Sequence, residues 1–252
     1  MISFSKLGSR ECGRLGNQLF QIASTIGIAE HFGVGADFPE WKYAQYFANS
    51  LPYEQGYAPH VKEKHFHYDI SQFSEHCDIE GWLQSEKYFE HCKEKIRDQL
   101  RFNFDFKKQL AIKHQYYGRP TIAISIRRGD YVNNPTYALL PETYYIGALL
   151  KHFPDFEQYN IVIFSDDMVY SRAHFECLPN VFFAEGTDIE QLCLMSMCDN
   201  CIISNSTFSW WGAWLSGGKV IRPNYHFGYY YGKVNSAKDY YPARWITYDH
   251  EN

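Results

Sequence analysis

Between residues 120 and 223, short runs of β-branched and aromatic side chains alternate with stretches whose apolar residues recur at helical spacing. That alternation predicts parallel β-α units. The expected strands are Thr121 to Ile126, Asn160 to Ser165, Asn180 to Ala184, Cys201 to Ser204 and Lys219 to Arg222. Pro141 to Phe153 carries Tyr145, Ile146, Leu149, Leu150 and Phe153 as a helical stripe, with proline near its start. Asp188 is placed to cap the next helix, with Gln191 three residues on and Leu192 and Met195 turned inward. The C-terminal half therefore reads as Rossmann-like.

The N-terminal half opens the same way, with a strand near Ile2 to Ser5, a glycine-containing loop and a helix from Leu15 to Phe32. Leu15, Leu19, Ile22, Ala23, Ile26 and Ala29 form one face of that helix, and Gly33 is its natural stop. Residues 37 to 84 are rich in Tyr, His and Pro and show little periodicity. A further helix, Glu86 to Arg101, is expected after Ser85, burying Phe89, Cys92, Ile96 and Leu100. The boundary between the halves is expected at Tyr117-Gly118-Arg119-Pro120, which gives residues 1–118 and 119–252 as domains.

Composition narrows the partners. A length of 252 residues suits one large domain or two small ones. Lys and Arg total 24 against 29 Asp and Glu, a net charge of −5 with no basic block, which argues against nucleic acid. Aromatics reach 18%, a content that suits sugar faces and equally fills ordinary cores. Met1-Ile2-Ser3-Phe4-Ser5-Lys6 has no apolar signal core, and no window reaches the roughly 18 apolar residues of a membrane span, so a cytoplasmic protein is expected. The cysteines are odd in number and are expected as reduced thiols. Cys193, Cys198 and Cys201 have the spacing of an iron–sulfur site, but no fourth Cys follows and Leu194 to Met197 reads as buried helix. His65 and His67 are read as surface histidines, since no third ligand is patterned around them. No metal site is expected.

Ligands of open α/β sheets bind beyond the carboxyl ends of the strands. Arg127-Arg128-Gly129-Asp130-Tyr131 follows the strand ending at Ile126, and two guanidinium groups there can hold a diphosphate, or form a surface ion-pair cluster. Asp166-Asp167 follows the next strand; such a pair can accept hydrogen bonds from a base or ribose, cap a helix or hold a metal. Ser204-Asn205-Ser206-Thr207 feeds a helix that starts with more small polar residues than a single cap needs, which makes a ready phosphate site. Gly13-Arg14-Leu15-Gly16-Asn17-Gln18 lies between the first strand and its helix and does not have dinucleotide spacing. Together the four describe a ligand held between two domains.

These segments, in this order, resemble the bacterial and animal α-1,2-fucosyltransferases. The pieces that carry the resemblance are Gly13 to Gln21, Ile126 to Val132, Phe164 to Asp167 and Ser204 to Leu215, which together span most of the chain. The resemblance implies an α/β, GT-B-like fold of two Rossmann-like domains facing a central cleft. It implies an inverting transfer of L-fucose from GDP-fucose to the 2-hydroxyl of a galactose, with residues 1–118 on the acceptor side and 119–252 binding GDP-fucose. Arg127 is then the contact to the β-phosphate, with Arg128 nearby and Ser204, Ser206 and Thr207 among the donor-binding residues. Asp166 or Asp167 is the guanine or ribose acceptor, and Asn17 approaches the reacting centre. Asp130, beside the arginines, is the candidate general base.

No cofactor or metal is expected, because the arginines and the helix near Ser206 can stabilise the departing diphosphate. The expected partners are GDP-fucose and a galactose-containing oligosaccharide or polysaccharide precursor, with a place peripheral to membrane-bound glycan assembly left open. Two features depart from the family pattern: Ser125 stands where a His of the nucleotide pocket is usual, and Lys6 to Cys12 lengthens the entry into the glycine motif. The alternatives are an enzyme like the protein O-fucosyltransferases and an inactive glycan- or nucleotide-binding module.

Overall fold

The computed structural model describes residues 1–53, 56, 58–115 and 118–250. The chain divides into two compact units, one of Met1–Phe106 with Asn235–Pro242 and one of Lys107–Val234 with Ala243–Asn252. The division falls earlier than residue 118; Tyr117, at the expected boundary, lies outside the described residues.

In the first unit, β1 (Ile2–Ser3) leads to α1 (Leu15–Phe32), followed by β2 (Ala36–Asp37), β3 (His60–Lys62), β4 (Cys77–Glu80) and α2 (Lys93–Gln99). The strands form one parallel sheet in the order β2-β1-β4-β3. Successive strands β1 and β2 lie on one side and β4 and β3 on the other, so the order reverses between β1 and β4. Gly33 ends α1 in the left-handed region at φ 66°, as its position predicts. The helix is more central than a one-faced stripe implies, because Gln18, Gln21, Ser24 and Thr25 are buried along with its apolar residues.

The helix expected over Glu86 to Arg101 is instead two single 3₁₀ turns, Glu86–Tyr88 and Glu90–Cys92, before α2. Tyr88 and Phe89 are adjacent and both buried, whereas an α-helix would turn neighbours about 100° apart. Ser85 does cap the first turn, accepting from Lys87 N at 3.3 Å.

Helix α3 (Phe104–His114), which the sequence reading did not anticipate, contains the division between units. Phe106 meets Tyr46 and Phe102, whereas the charges of Lys107 and His114 act with Cys193 and Glu190.

The second unit continues with β5 (Thr121–Ile126), α4 (Glu142–His152), β6 (Asn160–Ser165), α5 (Met168–Phe175), β7 (Val181–Phe183) and α6 (Asp188–Ser196). It then runs through β8 (Asn200–Ile203), α7 (Thr207–Ser216), β9 (Lys219–Pro223), α8 (Tyr229–Gly232) and β10 (Ile246–Tyr248). Its six-stranded sheet is parallel throughout, in the order β10-β9-β8-β5-β6-β7. Every residue of β5 is buried, which is why the central strands read as continuous apolar runs. Asn180 adopts φ 52°, so β7 starts one residue later than expected. The cap of α6 is Thr187, not Asp188: Thr187 and Glu190 bond reciprocally as a capping box.

The aromatic content serves this interior first. Trp210, Trp211 and Trp214 of α7 are buried, and Trp245 packs 5.2 Å from Trp210. Cys193 and Cys201 are buried free thiols pushed up to about 12 by that burial, so neither presents a ready thiolate. Among the described residues no helix is long and apolar enough to cross a membrane.

Candidate functional site

The order of the second sheet reverses between β5 and β8, because β6 and β7 extend it on one side and β9 and β10 on the other. Such a switch point opens a crevice beyond the carboxyl ends of the two strands. Arg127 and Arg128 emerge from β5 there, and Ser204 to Thr207 emerge from β8 into α7.

Arg127 is held from two sides: Nη1 lies 2.9 Å from Asp166 Oδ2, and Nη2 donates to Asp130 Oδ1. Its side chain is only 16% exposed, and Nε is buried without an acceptor among the described residues. Tyr131 lies beneath the guanidinium, with 5.5 Å from Cζ to the ring centroid. The fork is thus preset, with Nε among the donors left for an anion.

Arg128 has a different job. Its backbone N donates to Asp166 Oδ1 at 2.9 Å, its Nε donates to Asp167 Oδ2 at 3.4 Å, and its Cζ sits 3.6 Å from the Tyr170 ring centroid. Asp167 also caps α5 by accepting from Tyr170 N at 3.0 Å. Each of the four carboxylate oxygens of Asp166 and Asp167 therefore has a partner within the protein. Gly129 is required by this packing, since a Cβ would come within 2.5 Å of Asp166 Oδ2.

Ser206 caps α7, its hydroxyl accepting from Phe208 N at 3.2 Å, and Thr207 is the first residue of the helix. Ser204 is turned away from the site. Its hydroxyl is buried 2.8 Å from that of Ser209, which in turn lies 2.7 Å from that of Ser125. The serine that replaces the usual His thus belongs to a buried hydroxyl chain joining β5, α7 and the end of β8. Asn205, which sequence reading left without a role, donates to the carbonyls of Ala138 (3.0 Å) and His226 (2.6 Å) and so ties two loops to the start of α7. Burial pushes the His226 imidazole down to about 3.

The first unit repeats the logic at its β1/β4 reversal. Gly13 has φ 74°, and a Cβ there would collide with the Asn17 side chain. Asn17, in the first turn of α1, accepts from Gln84 Nε2 at 3.1 Å. Gln18 accepts from Trp41 Nε1 at 2.8 Å and donates to Gly13 O at 2.9 Å, which fixes the loop. His65 and His67 lie in the loop after β3 with stacked rings 5.0 Å apart, and among the described residues no group of three or more His, Cys, Asp or Glu is arranged to hold a metal.

Two all-parallel α/β units, the second presenting an arginine and a helix N-terminus at its switch point, define a GT-B glycosyltransferase scaffold. Residues 53–248 match glycosyl transferase family 11, and the chain belongs to that family.

Over 181 residues the chain is 33% identical to the alpha-1,2-colitosyltransferase of Escherichia coli, covering 66% of this chain and 60% of that protein. It is 39% identical over 105 residues to the O-antigen biosynthesis glycosyltransferase WbnK of Escherichia coli, covering 38% and 34%. It is also 26% identical over 240 residues to the galactoside 2-alpha-L-fucosyltransferase SEC1 of Bos taurus, covering 83% and 64%. The match thus spans between about a third and just under two thirds of these relatives' lengths.

Among solved structures, the NodZ alpha-1,6-fucosyltransferase soaked with GDP-fucose aligns with TM-score 0.54 at 12% identity, covering 85% of this chain and 94% of that one. POFUT1 in complex with GDP aligns with TM-score 0.52 at 12% identity, covering 86% and 95%. These likenesses show the fold.

Proposed function

We propose that the chain transfers L-fucose from GDP-fucose to the 2-hydroxyl of a galactose in a glycan acceptor, with inversion and without a metal ion. The observation that carries the reading is Arg127, preset at the β5/β8 switch point with an unpaired buried Nε, beside the start of α7. Breaking the bond between sugar and diphosphate builds negative charge on the leaving group. A fixed guanidinium and a helix N-terminus stabilise that charge without reorganising.

In this reading Arg127 meets the β-phosphate, with Ser206 and Thr207 beside it. Asp130 and Asp166 aim Arg127, and Asp167 with Tyr170 aims Arg128. The first unit carries the acceptor side, where Asn17 lies. The galactoside specificity is supported by the Bos taurus relative's name, and the nucleotide by the GDP-bearing solved structures.

The test is transfer from GDP-fucose to a panel of galactose-terminated oligosaccharides, with linkage and anomeric configuration read by NMR. An α-1,2-linked fucose formed equally well in EDTA is expected; retention of configuration, or activity restored only by Mn²⁺ or Mg²⁺, overturns the reading. A second sugar deserves an arm in that assay, since the Escherichia coli relative of 33% identity is named for colitose. Transfer of a colitosyl group in preference to fucose would keep the site and change the donor.

A further inference from the structure

Within the second unit, the loop after β5 and the loop after β9 both leave the carboxyl edge of the sheet, on either side of the end of β8. They are tied to each other and to the start of α7. Gly228 N donates to Thr136 O at 2.9 Å, Tyr137 and Phe227 form an antiparallel bridge, and Asn205 donates to a carbonyl of each loop. Gly228 leaves no room for a Cβ against Pro135 O, so the two backbones touch there.

A line of rings runs outward from the arginine through this junction. The Tyr131 ring, beneath the Arg127 guanidinium, stacks on Tyr137 at 4.3 Å with 5° between the planes. Tyr137 meets His226 edge to face at 6.3 Å, and Phe227 meets Tyr231 at 4.9 Å. His226 is buried and fastens the loop from within. Its neighbours on the loop turn to solvent: Tyr229 and Tyr230 of α8 are 72% and 77% exposed, their planes 81° apart, and Tyr225 is exposed as well. Lys233 Nζ, 4.1 Å from the Tyr229 centroid, holds that ring from one side.

Aromatic side chains turned outward together mark a surface for a ligand, and their chemistry selects it. A phenol ring offers its face to the C–H face of a pyranose and its hydroxyl to the sugar's hydroxyls, with two torsions to fix on binding. From Asn224 to Val234 the one aliphatic side chain outside proline is Val234, which is little for a bilayer or for an apolar protein face.

We propose that Tyr225, Tyr229 and Tyr230 form a carbohydrate platform of the second unit, on which the glycan acceptor lays sugars other than the one that is fucosylated. That the bound glycan is the acceptor rests on the fucosyl-transfer reading above; that the rings hold a sugar rests on this loop. The line of rings gives the platform a fixed place relative to Arg127, all inside one unit. A seat fixed relative to the leaving diphosphate is what aligns an attacking hydroxyl.

The test adds the galactose-terminated oligosaccharides of the panel to the full chain carrying ring-labelled tyrosine, with NMR following the rings and calorimetry giving Kd. The signals of Tyr229 and Tyr230 should shift with members of four or more sugars. Joint Tyr229→Ala and Tyr230→Ala substitution should weaken their binding about 10- to 100-fold, the scale of losing two ring faces. The corresponding Phe pair should keep most of the affinity, since the ring faces remain. Both side chains are exposed, so the Ala pair should melt with the wild type. Equal affinity in the Ala pair and the wild type, or a panel that leaves the ring signals unmoved, overturns the platform. So do ring signals that move instead with GDP, with vesicles of phosphatidylethanolamine and phosphatidylglycerol, or with protein concentration. Glycan binding at the rings of a protein that transfers nothing from GDP-fucose supports the carbohydrate surface and overturns the transfer reading alone.

Discussion

At the scale of single residues, the proposed function separates, in the second unit, the groups that would meet a ligand from those that would aim them. Arg127→Ala should lower kcat/KM by about 10²- to 10³-fold, the scale for losing one transition-state charge stabiliser. Arg127→Lys should also fail, because an ammonium keeps the charge and loses the planar fork that Asp130 and Asp166 hold. Near-normal turnover of the Lys variant would rule out the preset fork. Asp166→Asn should weaken GDP and UDP binding alike, as calorimetry can show; loss of GDP preference alone would restore a base-reading role to the pair. The strand-end arginines were legible because a β-branched run stops at Ile126 and charge begins at once. The burial of Ser204 was not legible, because it depends on Ser125 and Ser209, which only folding brings to it. The burial of Glu63 was illegible for the same reason: in the run Lys62-Glu63-Lys64-His65 it looks like solvated charge, and its backbone donors arrive from Trp82 and Leu83.

At the scale of elements, two helices of the same sheet face carry comparable caps, and only one cap stands at the switch point. Thr187→Ala and Ser206→Ala should each destabilise the protein by about 1 kcal/mol, the common worth of an N-cap. Only Ser206→Ala should also weaken GDP binding. Equal GDP affinity in the two variants, with equal losses in thermal stability, would detach α7 from the anion. The strands β5, β6, β8 and β9 were readable because each is a buried apolar run bounded by helical pattern. In the first sheet only β1 was anticipated, within the strand expected near Ile2 to Ser5; β2 has two residues and β3 three, too few to display an alternation. What orders that sheet is side-chain chemistry at a distance: Asp78 of β4 accepts from Ser3 Oγ, Ser5 N and Ser5 Oγ at 2.6 to 2.9 Å.

For the molecule as a whole, the two units should respond to pH in opposite directions. Glu63 has a raised folded-state value, so the stability linked to it is fully present below about 4.5 and is lost as pH rises toward about 7. His226 has a lowered one, so its contribution is present above about 6.5 and is lost as pH falls toward about 3. Amide-exchange protection factors at acid and mildly alkaline pH, compared unit by unit, should shift oppositely; parallel shifts would contradict both assignments. The order of the chain adds a constraint that no single cut removes. Tyr240 has its ring centroid 6.2 Å from those of both Phe20 and Phe66, and Asp239 accepts from Lys87 Nζ at 2.6 Å and, through its carbonyl, from Ser85 Oγ at 2.8 Å. The first unit is therefore incomplete until Asn235–Pro242 has been made, more than a hundred residues after Phe106. At a synthesis rate of ~5–20 residues per second, that is a wait on the order of ten seconds. On the ribosome, the half translated first must stand with the apolar seat of Tyr240 uncovered while the other half is still being made, which makes this stretch of translation the interval in which a chaperone has most to protect.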